Sequence, residues 1–281
     1  MNRVGLRGPR VLVFDSGLGG LTVLTEVAKA RPDASLVYAA DDAAFPYGAL
    51  GESELVARVA SVMDSLVALH TPDLVVIACG TASTLVLGPL RARYPALPFV
   101  GTVPAIKPAA AISKSRLVSV LATTGTVARD YTQALVREHA GDCEVALVGS
   151  KHLARIAEDG MKGLAVDDAE IAREIAPCFV ESGGRRTDVV ALACTHYPLL
   201  RAQFERLAPW PVDYVDPAPA IARRVDALLG PAAGAPFPHG ASAPAIFTSG
   251  AAPGDALREA LLKFGLVAAP TDAAAFEFSR T

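Results

Sequence analysis

Two cysteines stand at equivalent points of two similar segments. Ala78–Ser83 (ACGTAS) and Ala193–Pro198 (ACTHYP) each follow a short apolar run and place hydroxyl residues soon after the thiol. A thiol at a helix N-terminus lies beside free backbone N–H groups, which favour the thiolate. His196, two residues after Cys194, exchanges protons near neutral pH. A single cysteine with a histidine is typical of a cysteine hydrolase, whereas two matched cysteines favour a pair of acid–base groups.

A glycine-rich turn lies ahead of both segments in the chain. Phe14–Gly20 (FDSGLGG) leaves an apolar run and enters a predicted helix. It matches neither the GxGxxG dinucleotide pattern nor a phosphate-binding loop with its lysine, so a phosphate site has little support. The turn presents Asp15 and Ser16 at a helix N-terminus, where they either cap the helix or bind a substrate ammonium group.

A second polar turn follows the next apolar run. It spans Asp41–Gly48 (DDAAFPYG). Pro46 and Gly48 shape its backbone, and Tyr47 offers a hydroxyl group. We therefore count this turn among the segments that carry chemistry.

The two other cysteines, Cys143 and Cys178, carry no comparable pattern. The chain has no CxxC pair and no His/Cys cluster with zinc-site spacing, so we expect no metal site. No secretion signal is visible, so we expect free thiols rather than disulfides. Both residues are predicted to be inert and buried, as free cysteines usually are.

The composition is that of a globular chain with a large core. Of 281 residues, 52% are hydrophobic and 20% charged, which excludes a disordered chain and allows one large α/β domain or two of average size. The net charge of -3 gives no reason to expect nucleic acid or an anionic membrane surface as a partner. The apolar runs are too short or too interrupted to span a membrane. We expect a cytoplasmic enzyme that acts on a small molecule.

Apolar runs alternate with segments of helical spacing. Several runs lack polar alternation, as strands buried on both faces do. Strands are predicted at 10–14, 35–39, 74–78, 98–101, 116–121, 144–148 and 189–193. Helices are predicted at 21–31, 54–70, 160–182, 200–207 and 218–229. A Gly/Pro/Ala-rich loop from 231, a strand at 245–249 and a helix at 253–264 close the fold. This alternation predicts an α/β protein with largely parallel sheets.

A weak internal repeat connects the two cysteine segments. Asp73–Cys79 reads DLVVIAC and Asp188–Cys194 reads DVVALAC, and Arg10–Gly17 resembles Arg116–Gly125 in the same way. Ligands of open α/β sheets bind outside the carboxyl ends of the strands, so two facing halves would bring these ends to one cleft. The repeat predicts that both thiols serve one site from opposite sides. Chance similarity between buried strands is the alternative.

Five segments, in order, resemble the glutamate racemase family. They are 15–20, 45–48, 78–83, 121–126 and 193–198, within a match that spans roughly residues 10–220. The resemblance implies two similar α/β domains related by a pseudo-twofold axis, residues 9–103 with 213–270 and residues 104–212, around a central cleft. It also implies a homodimer and a reaction without metal or cofactor. That reaction interconverts L- and D-glutamate and supplies D-glutamate for peptidoglycan synthesis.

The resemblance also implies a role for each matched residue. Cys79 and Cys194 would be the acid–base pair, with His196 assisting Cys194. Asp15 and Ser16 would hold the substrate amino group and orient the adjacent thiol, which gives Asp15 a catalytic role as well. The other substrate-binding positions would be Pro46, Tyr47, Gly48, Gly80, Thr81, Thr123, Thr126, Thr195 and His196.

The chemistry implied is direct 1,1-proton transfer, in which one thiolate removes the Cα proton and the opposite thiol returns one. From a reference pKa of about 8.5, holding one thiolate at pH 7 costs roughly 2 kcal/mol. Helix N-termini, Asp15 and His196 can offset that cost, and threonine hydroxyls can stabilise the carbanion through its carboxylate. Glu158 stands near an assisting carboxylate of the family, and a surface acid on a helix is the alternative.

Gly80 departs from the family pattern, which has Asn directly after the first cysteine. Losing an amide contact to a charged substrate costs roughly 1.5–3 kcal/mol, or about ten- to a hundredfold. Three consequences stay open. The chain is less active or only binds its ligand, another group or a water fills the gap, or the substrate is a different acid such as aspartate.

Overall fold

Two groups of apolar strands build the protein, which we describe from a computed structural model covering residues 8–232 and 242–276. Over these ranges the strands are β1 (Arg10–Asp15), β2 (Ser35–Ala40), β3 (Leu74–Ile77), β4 (Phe99–Gly101), β5 (Leu117–Thr123), β6 (Glu144–Ser150), β7 (Glu181–Ser182), β8 (Arg185–Arg186), β9 (Val189–Leu192), β10 (Asp213–Val215), β11 (Ala243–Phe247) and β12 (Leu266–Ala268). The order in the larger sheet is β12-β11-β2-β1-β3-β4, and in the smaller sheet β10-β9-β5-β6. Every pairing in both sheets is parallel, as predicted, while β7 and β8 form a separate antiparallel hairpin.

Helices cover both faces of each sheet. In the described ranges they are α1 (Leu21–Ala30), α2 (Glu52–His70), α3 (Gly80–Arg93), α4 (Ile106–Ile112), α5 (Thr124–Val127), α6 (Asp130–His139), α7 (Leu153–Met161), α8 (Asp168–Ile175), α9 (Arg201–Leu207), α10 (Ala218–Leu229) and α11 (Asp255–Lys263). The larger sheet packs against α1, α10 and α11 on one face and α2 and α3 on the other. The smaller sheet lies between α7, α8 and α9 and the pair α4 and α6. Each half is thus three layers with its own core, and no described helix is long and apolar enough to cross a membrane.

The internal repeat is present in the backbone hydrogen bonds. In the first half, the amide of Ala78 donates to Phe14 O at 2.7 Å. In the second, Ala193 N donates to Leu121 O at 2.8 Å. The aspartates that begin the two repeat units each accept a backbone hydrogen bond of 2.7 Å, Asp73 from Arg10 N and Asp188 from Lys114 N, although these donors are not equivalent positions. The similarity therefore reflects equivalent positions in the two sheets rather than chance.

Some predicted boundaries were wrong. The helix predicted over 160–182 is α7 and α8 with a break between them, because Gly163 has a φ of +77° and Asp167 caps α8 through Ala169 N. Strand β10 pairs with β9, so Asp213–Val215 lies in the smaller sheet and not in the returning part of the first half. Most of the loop predicted from 231 lies outside the described residues.

Candidate active site

A narrow cavity lies between the two halves, at the carboxyl ends of β1, β3, β5 and β9. The space left in it is small, about 30 Å³. It is lined by Ser16, Phe45, Pro46, Tyr47, Gly48, Cys79, Gly80, Thr81, Thr123, Ala154, Ala193, Cys194, Thr195 and His196. Every residue predicted for the site is in this lining except Asp15 and Thr126. Both thiols thus face one cavity from opposite halves.

Cys79 occupies the N-cap position of α3 and is only 6% exposed. Its Sγ lies 3.6 Å from Ser16 Oγ. Burial, and secondly the charge of Asp15, raise the pKa of the Cys79 thiol to about 12, although the Ala82 amide and the Ser16 hydroxyl favour the thiolate. The helix terminus therefore does not offset the effect of burial on the pKa of this thiol.

Cys194 has a different environment. A short 3-10 turn, Tyr197–Leu200, follows it, and α9 begins only at Arg201. In place of a helix terminus it has an imidazole, since His196 Nδ1 lies 3.9 Å from its Sγ. The two thiols occupy equivalent strand ends but are served by different groups.

Glu158 completes the group around Cys194. Its Oε1 lies 2.9 Å from His196 Nε2, and its Oε2 forms an ion pair of 3.0 Å with Lys162. Burial opposes the charge of both members of the pair. The hydrogen bonds with Cys194 and Glu158 nevertheless raise the pKa of His196 well above its usual range, and the pKa of Glu158 is lowered mainly by His196. Glu158 is 3% exposed, which excludes the surface-acid alternative.

The glycine-rich turn packs directly on this pair. The amide of Leu18, in the first half, donates to Glu158 Oε1 in the second. A Cβ at Gly17 would lie 2.2 Å from Glu158 Oε1, and one at Gly19 would lie 2.5 Å from His196 Nδ1. The glycines thus allow the two halves to approach closely.

Asp15 caps the same turn from inside. Its carboxylate accepts hydrogen bonds from Ser16 N at 2.8 Å and from Gly20 N at 2.6 Å, and the residue is fully buried. Asp15 therefore braces the glycine-rich turn, whereas α1, with Gly20 at its N-cap, has no side-chain cap, so the predicted helix cap was wrong. Its negative charge contributes to the raised pKa values of Cys79 and His196.

A buried aspartate, Asp41, holds the loop at Phe45–Gly48. The sequence analysis did not predict this contact. Tyr47 OH donates to Asp41 Oδ2 at 2.6 Å, so the hydroxyl points to Asp41 while the residue lines the cavity. Arg58 binds both Asp41 oxygens, at 3.0 and 2.5 Å, and Thr248 donates to Oδ1 at 2.6 Å. Asp41 thus fixes one wall of the cavity.

Hydroxyl groups form the opposite wall. Thr123 Oγ1 lies 3.3 Å from Thr81 Oγ1, across the two halves, and 2.9 Å from Thr126 Oγ1. Thr126 therefore acts behind Thr123 rather than in the lining. A Cβ on Gly80 would lie 3.2 Å from Ala193 O and meet nothing else within 4 Å, so a side chain there needs only a small adjustment.

The other cysteines lie outside the cavity. Cys178 is 1% exposed and burial raises its pKa to about 12, as expected of an inert core thiol. Cys143 is half-buried, so the prediction that it is buried was wrong. Among the described residues, no cluster of three or more His, Cys, Asp or Glu side chains is arranged to hold a metal ion.

Comparison with known proteins agrees with this geometry. The family model for Asp/Glu/Hydantoin racemase matches residues 16–225. Glutamate racemases of Brucella anthropi and Sinorhizobium fredii are 53% and 54% identical to the chain, over 91% of it and 92% and 95% of their own lengths. The structure of Escherichia coli glutamate racemase with L-glutamate and the activator UDP-MurNAc-ala superposes with a TM-score of 0.83 at 36% identity, over 93% of this chain and 97% of that one. The chain therefore belongs to the Asp/Glu/Hydantoin racemase family, among its glutamate racemases, and is an amino-acid isomerase.

Proposed function

We propose that the protein interconverts L- and D-glutamate by proton transfer between Cys79, Cys194 and the substrate Cα. The observation that carries this proposal is that both thiols, from equivalent strand ends of the two halves, line one cavity. The substrate is supported by the relatives named glutamate racemase and by the L-glutamate bound to the Escherichia coli protein.

The different surroundings of the two thiols support different starting roles for them in this proposal. Cys79 starts as a neutral thiol, because its pKa is raised to about 12. Cys194 starts as the base, after passing its proton to His196 Nδ1 at 3.9 Å, and the ion pair with Glu158 holds the resulting imidazolium. The Cys194 thiolate then takes the Cα proton of one enantiomer, and the Cys79 thiol donates its proton to the other face. Turnover exchanges the roles, so the enzyme leaves each cycle ready for the reverse reaction.

We expect residues of the cavity walls to bind the charged groups of the substrate. The hydroxyls of Thr81, Thr123 and Thr195 donate to its carboxylates and stabilise the carbanion that forms next to one of them. Ser16, beside Cys79, faces the ammonium side, and the buried negative charge of Asp15 lies behind it. The space left in the cavity is small, about 30 Å³, so we expect the halves to move apart when glutamate enters.

The direct test is racemisation of each glutamate enantiomer by the purified wild-type chain in deuterium oxide. We expect loss of optical rotation and one deuterium at Cα of each product molecule. Retention of the original Cα proton in racemised product would contradict solvent-exchangeable thiols. Absence of racemisation would contradict the function.

Gly80 supports one alternative substrate class, because an expected amide is absent from the cavity. The same assay with single enantiomers of aspartate and of neutral amino acids separates the two. Glutamate is expected to have the highest kcat/KM, and a preference for aspartate would reassign the enzyme within its family.

We further propose that the protein acts in the cytoplasm as a homodimer and supplies D-glutamate for peptidoglycan, as the family resemblance implies. Light scattering on the eluting protein should give twice the chain mass of 29.1 kDa. Depletion of the protein in its native cell should cause a requirement for D-glutamate in the medium.

A further inference from the structure

Arg129 links the two halves on the side of the cavity occupied by Cys79. It lies between α5 and α6 of the second half, and its side chain is 16% exposed. Its NH1 donates to Thr81 O at 2.8 Å and to Thr84 Oγ1, both in the first two turns of α3. Helix α3 belongs to the first half and begins at Cys79. One guanidinium of the second half thus binds the helix that carries the first thiol.

The surroundings of Arg129 place it in an interface rather than a surface ion pair. Its nearest carboxylate is Glu52, at 3.9 Å from Nε, and that side chain is 73% exposed. Burial lowers the pKa of Arg129, with Glu52 and Cys79 acting in the opposite direction. A guanidinium remains charged in proteins. Because Arg129 is partly buried, its cation is partly desolvated where it binds a helix carbonyl and a hydroxyl.

A second contact between the halves lies next to it. Thr123 Oγ1 caps α5 through Thr126 N at 3.3 Å and meets Thr81 Oγ1 at 3.3 Å. Thr81 is therefore held through its hydroxyl by Thr123 and through its carbonyl by Arg129. Both contacts can form only when the halves are closed, because their two sides come from different halves.

We propose that Arg129 is a positioning residue that clamps the first turns of α3 to the second half and so aligns Cys79 with the substrate Cα when the cleft closes. This proposal rests on the proposed function for its kinetic consequence. Whether Arg129 holds the two halves together can be tested without substrate.

The test uses Arg129→Met, which keeps an extended apolar stem without the donors, and Arg129→Lys, which keeps the charge and one donor group. The matched control is Arg137→Met, at an exposed arginine of α6. Misalignment of a reacting group costs up to about a hundredfold. We expect kcat to fall about 10- to 100-fold in Arg129→Met, to recover partly in Arg129→Lys and to stay unchanged in Arg137→Met.

The primary deuterium isotope effect at Cα distinguishes positioning from loss of folded protein. If the Cys79 step alone becomes slower, the effect on kcat/KM rises for the enantiomer whose proton Cys79 removes and falls for the other. Fewer active molecules would leave both isotope effects unchanged, which would overturn the proposal. So would wild-type kcat in Arg129→Met.

Alkylation of Cys79 provides a readout that does not need glutamate. Without the clamp the cleft opens more often, so iodoacetamide should modify Cys79 several-fold faster in Arg129→Met than in the wild type. The buried Cys178 is the internal control, and its labelling should not change. An unchanged Cys79 rate would reject the clamp even if the chain racemises glutamate. A faster rate in a chain that racemises nothing would reject only the proposed function.

Discussion

The Nε2 atom of His196 lies 2.9 Å from Oε1 of Glu158, and both side chains are at most 4% exposed. The other ring nitrogen faces Cys194 Sγ at 3.9 Å. Since Leu18 N, from the other half, donates to the same Glu158 oxygen, one carboxylate joins the two halves and holds the imidazole beside Cys194.

This relationship predicts a pH effect for Glu158→Gln. In the wild type the pKa of His196 is raised, so the imidazolium persists through neutral pH and is lost only as pH rises through that raised value. The charged groups around the ring are Glu158, Asp15 and Cys194, with Lys162 on the far side of Glu158. Without the Glu158 charge, burial lowers the pKa, and the alkaline limb of kcat moves to lower pH. At pH 8 we expect kcat to fall about 10- to 100-fold, the value of a charged hydrogen bond.

The measurement is kcat for each enantiomer between pH 6 and pH 10. Asp159→Asn is the matched control, because Asp159 is the next residue of α7 but pairs with Arg155 at 2.9 Å. If the alkaline limb of kcat lies at the same pH in the wild type and in Glu158→Gln, Glu158 has no part in proton transfer by His196 and Cys194.

The two-thiol mechanism predicts opposite defects for Cys79→Ser and Cys194→Ser. Each variant loses one acid–base group, so racemisation should fall by about 10²- to 10⁴-fold. Each keeps the base for one enantiomer only, so nuclear magnetic resonance in deuterium oxide should show Cα exchange of opposite enantiomers in the two variants. Cys143→Ser, at a thiol outside the cavity, should match the wild type. Full racemisation by either cavity variant contradicts the mechanism.

The repeated strand ends were predictable because they depend on local sequence. Apolar runs buried on both faces predicted the parallel strands, and the DLVVIAC and DVVALAC segments predicted that both thiols reach one cavity. The break between α7 and α8 was missed, although the positive φ of Gly163 and the Asp167 cap are local signals of the kind that end helices.

Contacts between distant elements were not predictable from one sequence. Arg58 binds Asp41 from a separate element, and Arg129 reaches Thr81 from the other half. Neither arginine lies in a motif, and nothing in helical or strand periodicity encodes such a pairing. The one signal available was the unexplained Asp at the start of the Asp41–Gly48 turn.

The Asp41 network predicts that Tyr47→Phe affects stability more than substrate binding. The Tyr47 hydroxyl donates to Asp41 and not into the cavity, while the ring lines it. Losing one bond to a charged acceptor that keeps Arg58 and Thr248 should lower the free energy of unfolding by roughly 1–3 kcal/mol and leave KM within about twofold. Urea unfolding and steady-state kinetics measure the two quantities. Tyr131→Phe, at a residue that is 43% exposed, is the control, and a large rise in KM for Tyr47→Phe would instead assign the hydroxyl to the substrate.

We expect that an amide side chain at position 80 improves the binding of glutamate. Two variants of Gly80 distinguish the effect of the added amide from that of the added bulk. A Cβ at this position meets only Ala193 O, at 3.2 Å, so Gly80→Ala tests whether the halves tolerate a side chain there. Gly80→Asn adds an amide that can both donate and accept at the cavity wall. We expect Gly80→Ala to change KM little, and Gly80→Asn to lower KM for glutamate by about 10-fold relative to Gly80→Ala, as one contact to a charged group is worth roughly 1.5–3 kcal/mol. Steady-state kinetics on glutamate and aspartate check this. If both variants raise KM equally, the Ala193 carbonyl cannot yield and the glycine is required for closure. If Gly80→Asn improves aspartate instead, residue 80 selects the length of the substrate.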